Sequence, residues 1–351
     1  MKLTRQNTVR LTGVLLAVMA VAALAIGLFS GGRDNSVIQP EGEVQQTAAG
    51  ADETSEKTVS TVAYYGDGNG HIVPVMRKIP DQDGVARATL QLMVKNETND
   101  REAARMGLST LLPENCSIDI DINADGVARV DLGKEANAMP DAASESSMVA
   151  GVVAALGEFP TVKQVEFLIG GQKLDKLKHG TDISKPIEPG AVNLESAESV
   201  SETFSADQIT LYFPDESGRL MVPVTRMVYG EGDINTAVLE LAKGSNDKKL
   251  ENALPEGCGL IGVSVKDGVA TINFTREFIE IAEKSDGGRA ALKALVLTCT
   301  QFKGVKSVEI QVEGEKYDPG KQTLSVPTFV NVAEDIPTMG YAETAAILEF
   351  D

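Results

Sequence analysis

Residues Gln208 to Phe213 alternate polar and apolar side chains with the period of two expected of a half-buried strand. Pro214-Asp215-Glu216-Ser217-Gly218 then supplies turn residues, and Arg219 to Met227 reads as the returning strand. A helix is predicted near Asp233 to Lys243, with Asp233 as its cap and Leu239 and Leu241 among its apolar residues. Leu260 to Val265 and Val269 to Phe274 form a predicted hairpin around Lys266-Asp267-Gly268, because the Asp-Gly pair suits a turn that needs positive φ. Leu292, Leu295, Val296, Cys299 and Phe302 share one face of a second helix, and Ser307 to Val312 closes the series as a strand.

The same pattern occurs earlier in the chain. Val73-Pro74-Val75-Met76-Arg77 recurs as Val222-Pro223-Val224-Thr225-Arg226, 149 residues on, and Leu112-Pro113-Glu114-Asn115-Cys116 recurs as Leu254-Pro255-Glu256-Gly257-Cys258, 142 residues on. Asp125-Gly126-Val127-Ala128 matches Asp267-Gly268-Val269-Ala270, and Phe159 with Val165-Glu166 matches Phe302 with Val308-Glu309. Met148, Val152, Val153, Leu156 and Phe159 repeat the second helix. Residues 61–180 and 208–325 are therefore read as two tandem copies of one β-β-α-β-β-α-β unit, each long enough for its own core. The fold class is α+β, a sandwich with helices covering one face of a small sheet. Residues 181–207 read as a linker from their Pro, Gly, Ser and Glu content, and 326–351 as a C-terminal extension.

Before the first copy, Leu11 to Phe29 form an apolar run preceded by Lys2, Arg5 and Arg10. At about 1.5 Å per residue such a helix spans about 28 Å, close to a bilayer core. The expectation is a cytoplasmic tail (1–10), a transmembrane signal anchor (11–29) and a flexible linker (30–60), with the remaining chain extracytoplasmic. Ala23-Leu24-Ala25 leaves a cleaved signal peptide as the alternative.

Composition narrows the chemistry. A formal net charge of −19 argues against nucleic acid as a partner. Two His, three Cys and no Trp leave few parts for metal sites, His-based catalysis or aromatic sugar platforms. Asp121-Ile122-Asn123-Ala124-Asp125-Gly126 opens like a calcium loop, but Leu132 stands where the bidentate Glu belongs, and a hairpin turn is the better reading. Asp119 and Asp121 read as a solvated strand face, and Gly170-Gly171 and Gly287-Gly288 as turns or caps. Cys299 replaces Leu156 of the first copy, which makes it a core residue; a Cys258–Cys299 disulfide stays open. His71 aligns with Leu220 and His179 with Gln322, so neither is retained between copies. No catalytic, cofactor or metal residue is nominated. Open sheet edges offer either a surface for a neighbouring subunit or a contact between the two copies.

The Val-Pro-Val-x-Arg return strand, the Leu-Pro-Glu-x-Cys step before the Asp-Gly hairpin and the terminal Val-Glu strand resemble the GerMN domain family over about residues 61–325. The resemblance implies a non-enzymatic sporulation and germination protein whose domains are similar to ring-building motifs. It also implies a place between mother cell and forespore, sporulation channel proteins as partners, and self-association or ring contacts. Members of that family are often lipoproteins, whereas this chain has no Cys in its first hundred residues, so membrane attachment would fall to residues 11–29.

Overall fold

The computed structural model describes residues 57–195, 206–283, 286, 288–318, 324 and 329–337. The first unit runs β1 (Thr58–Gly66), β2 (Ile72–Pro80), α1 (Val85–Gln91), α2 (Glu97–Arg105), β3 (Ile118–Ile122), β4 (Val127–Leu132), a 3-10 turn (Lys134–Ala138), α3 (Ala142–Gly157) and β5 (Gln164–Ile169). The second runs β6 (Ala206–Pro214), β7 (Met221–Tyr229), α4 (Ile234–Lys243), β8 (Leu260–Lys266), β9 (Val269–Phe274), a 3-10 stretch (Arg276–Glu283), α5 (Arg289–Thr300), β10 (Ser307–Val312) and β11 (Glu315–Lys316). Two short helices stand in the first unit where the second has α4, in the interval where the repeat spacing falls from 149 to 142 residues.

Each unit holds two sheets rather than the one small sheet expected. The β1–β2 hairpin stands apart from the three-stranded sheet β3-β4-β5, and β6–β7 stands apart from β11-β10-β9-β8. β4 pairs antiparallel with β3 and parallel with β5, as β9 does with β8 and β10. The helices join the two sheets: α3 packs on β1, β2 and β5, and α5 on β6 and β10. The cause lies in the sequence of α3, whose Met148, Val149, Gly151, Val152, Val153, Ala155 and Leu156 are buried more widely than a one-sided helix would need.

Local chemistry fixes the element ends. Asp141 accepts from Ser144 N at the start of α3, and Asp233 accepts from Thr236 N at the start of α4, as its sequence position predicts. Gly126 and Gly268 take φ of 88° and 84° in the two Asp-Gly turns. A side chain at Gly126 would put its Cβ 2.7 Å from the Thr161 carbonyl, so both backbone conformation and close approach require glycine there.

The expected single-pass membrane localisation needs correction. Among the described residues no helix is long and apolar enough to cross a membrane. The longest, α3, has 16 residues, about 24 Å at 1.5 Å per residue, and buries Glu145 within the unit. The segment 11–29 on which the expectation rested lies outside the described residues, as do the expected cytoplasmic tail and the linker up to residue 56.

Candidate functional site: the seam between the two units

The two units are joined by strand edges inside the repeats, β2 and β7, and by two segments outside them, around Asn193 and Asn331. In β2, Ile72, Pro74 and Met76 turn their backbone polar groups away from β1, and in β7 Met221, Pro223 and Thr225 do the same. Each proline carries no N–H, so its strand cannot continue a regular ladder on that side. The two strands pack together, and two asparagines bridge them.

Asn193 accepts from Ile72 N at 2.8 Å and donates to Ile72 O at 2.8 Å and Pro223 O at 2.7 Å. Asn331 accepts from Met221 N and donates to Met221 O and Pro74 O, all at 2.9 Å. Ile72 and Pro74 occupy the repeat positions of Met221 and Pro223, so the two clamps are related by a pseudo-twofold exchange. An amide side chain offers two donors and an acceptor, which is what a strand edge with an unpaired N–H, its own C=O and a proline carbonyl opposite requires. Asn331 is only 2% exposed.

The segments carrying these asparagines are also exchanged. After the first unit, Val192 to Glu195 pair with Thr225 of the second: Thr225 N donates to Val192 O and Glu195 N to Thr225 O, both at 2.9 Å. After the second unit, Asn331 to Ala333 pair with Met76 of the first, through Met76 N to Asn331 O at 2.8 Å and Ala333 N to Met76 O at 3.2 Å. Each unit thus lends its following segment to the other's hairpin.

Charged groups reinforce the seam. Arg226, from the repeated Val-Pro-Val-x-Arg motif, is buried and donates to Glu195 (2.6 and 3.0 Å), to Glu240 (3.0 Å) and to the Gly244 carbonyl (2.9 Å). Burial works against its charge, but the two glutamates hold its pKa above the usual value. The first-unit counterpart, Arg77, donates to Tyr65 Oη at 3.0 Å and pairs with Glu102. His71 lies between two carboxylates, Nδ1 at 2.7 Å from Asp67 Oδ2 and Nε2 at 3.1 Å from Asp247 Oδ2 in the second unit. The hydrogen bond to Asp67 raises its pKa against the effect of burial, with Asp247 adding to the rise. Only the imidazolium donates from both nitrogens, so the charged form is the one that spans the two units.

The remaining residues singled out from the sequence serve the fold. Asn123 Oδ1 accepts from Asp125 N and Val127 N, both at 3.0 Å, so the residue at the third position of the calcium-like motif closes the β3–β4 turn. Asp119 pairs with Arg87, and Asp121 lies opposite Arg129 on β4. Among the described residues no cluster of three His, Cys, Asp or Glu is arranged to hold a metal. His179 Nε2 sits 2.8 Å from Met139 O, while its N–H and that of Thr181 donate to buried Glu145. Burial works against the Glu145 charge, and those donors hold its carboxyl below the usual range. All three cysteines are free and buried. Burial pushes the Cys116 thiol up to about 11 and those of Cys258 and Cys299 to about 12, which leaves them unreactive at neutral pH. Gly170 and Gly171 take positive φ at the exit of β5, and Gly288 caps α5.

Sequence reasoning missed both asparagines and the His71 bridge. The one available signal was proline inside a strand pattern, which marks an edge facing something other than a ladder partner.

Comparison with known proteins agrees with this architecture. The family model for Germane, described as sporulation and spore germination, matches residues 62–175 and 210–318. The chain is 27% identical over 318 residues to the spore germination protein GerM of Bacillus subtilis (strain 168), covering 86% of each. It is also similar to the solved tandem GerMN domains of the sporulation protein GerM from Bacillus subtilis, with a TM-score of 0.65 and 28% identity, over 79% of this chain and 99% of that one.

Proposed function

The chain belongs to the Germane family of sporulation and spore germination, and from that premise we propose that it acts without catalysis as a scaffold in sporulation. In this reading it helps assemble or localise the channel complex between mother cell and forespore, with channel proteins as its partners. The observation supporting it is the seam. Two units tied by paired asparagine clamps, an Arg226–Glu195–Glu240 network and the His71 bridge hold two sets of sheet edges in one fixed relation. That suits a part which sets the spacing of other proteins. The imidazole and thiol groups singled out from the sequence are committed elsewhere: both nitrogens of His71 face carboxylates, and the thiols are buried.

The test is crosslinking and affinity purification of the tagged full chain from sporulating and from vegetative cells. Recovery of channel proteins from sporulating cells alone is the expected result. Recovery of cell-wall fragments instead, or of the same partners at every stage, would overturn it.

A further inference from the structure

We propose that the cavity beside the Asn331 clamp is a binding site for a small organic carboxylate with an apolar body. The cavity holds about 390 Å³ and opens to solvent where the first turns of α5 and the β6–β7 turn meet the segment that follows the second unit. Phe329, Val332 and Ile336 form its apolar wall, and Arg219 and Lys293 bring two cations to it. Neither cation belongs to the plan of the repeated unit. Gly70 stands at the first-copy position of Arg219, 149 residues earlier, and Ala150 at that of Lys293, 143 residues earlier. The same fold is built without them, so the core does not require their meeting.

Their donors are not used up within the chain. Arg219 donates from Nε to Ser217 Oγ at 2.9 Å and from Nη1 to the Pro337 carbonyl at 3.4 Å, and among the described residues its Nη2 has no acceptor. Among the same residues Lys293 has no hydrogen-bond acceptor, and neither cation has an ion-pair partner. Burial holds the Lys293 ammonium below the usual lysine value, and the nearby Asp335 carboxylate offsets only part of that. A half-buried ammonium without an acceptor gains by taking one. Charge and shape then select the ligand. Two cations and Asp335 leave the cavity one positive charge, which a single carboxylate neutralises and a phosphate dianion exceeds. An inorganic anion leaves Phe329, Val332 and Ile336 against water, whereas an apolar body covers them, and the volume falls in the range of small-molecule pockets.

The probe is phenylacetate, titrated against the full-length chain by ligand-observed NMR, with inorganic phosphate at equal ionic strength as the comparison. One saturable site is expected. Arg219→Gln and Lys293→Gln should each weaken it about ten-fold, the scale of one lost charge-assisted hydrogen bond. Asp335→Asn removes the opposing charge and should tighten binding several-fold, a gain that a misfolded variant does not give. Amine labelling with the N-hydroxysuccinimide ester of acetic acid, located by mass spectrometry, should be slowed several-fold by phenylacetate at Lys293 and left unchanged at the exposed Lys266. Absence of saturation up to about 50 mM, beyond the affinity that a ligand of this size should reach, would overturn the proposal. So would binding that Lys293→Gln and Asp335→Asn leave unchanged, or phosphate binding more tightly than phenylacetate.

Discussion

Asn331→Ala tests the seam most directly. The side chain is 2% exposed and makes three hydrogen bonds at 2.9 Å, from Met221 N and to Met221 O and Pro74 O. Truncation removes all three and leaves a backbone N–H and two carbonyls with no replacement from solvent. At about 1 kcal/mol for each net bond, the expected loss is about 3 kcal/mol. For a chain of this size, at about 2.1 cal/mol/K of unfolding entropy per residue, that lowers the melting temperature by roughly 4 °C. Asn331→Asp keeps the shape and the acceptor but turns a carboxylate towards the Pro74 and Met221 carbonyls, so its loss should be at least as large. Asn193 provides the pseudo-symmetric comparison. Its backbone sits at φ 50°, where alanine adds about 1 kcal/mol of strain, and Asn193→Gly separates that strain from the lost bonds. The assay is urea denaturation of the full chain followed by circular dichroism. A loss below about 0.5 kcal/mol for Asn331→Ala would refute the view that the amide clamps hold the units together.

The His71 bridge predicts a pH dependence. Its folded pKa lies above the unfolded 6.5, so its contribution is complete below about pH 6.5 and fades as pH rises through the folded value. Because Asp247 is 39% exposed, that contribution is about 1 kcal/mol, and His71→Leu, which installs the residue of the second copy, should flatten the stability profile between pH 6 and 8.5. Thr298 Oγ1 is buried in α5 without a partner, and Ala155 is its counterpart in α3; Thr298→Val should therefore raise stability by about 1 kcal/mol, and a lowered denaturation midpoint would count against this. Native protein at pH 8 should resist iodoacetamide at all three cysteines, whereas unfolded protein takes three labels by mass spectrometry; rapid native labelling would contradict the burial of the thiols.

Much of each unit is written locally. Asn115 and Gly257 fill the variable position of Leu-Pro-Glu-x-Cys, and both adopt left-handed φ, 61° and 77°, the conformation those two residue types tolerate best. The Asp-Gly hairpins, the Asp233 cap and the buried stripe Leu292, Leu295, Val296 and Cys299 followed from residue type and spacing, because turns, caps and amphipathic faces depend on neighbours within a few residues. The same reasoning placed Leu239 with the apolar residues of its helix, yet it is 40% exposed while Ala237 and Val238 are buried, since the angle at which α4 meets α5 and β6 is set by packing.

The sequence by itself therefore determined the duplicated unit, the order of its main strands and its turn chemistry, all of which rest on short-range periodicity and backbone preference, but not the second short helix, α2, that the first unit carries where one helix was expected. Only the tertiary structure decided that each unit splits its strands into two sheets around the helices, and that the units exchange their following segments. Asn193 lies in a Pro- and Gly-bearing stretch that reads as a connection, and Asn331 in a tail without a repeat counterpart. Their partners are 30 to 257 residues away, as carbonyls and N–H groups that every residue type shares. A backbone group leaves no mark in the sequence, so the clamp that joins the two units becomes visible only when both strand edges are brought face to face.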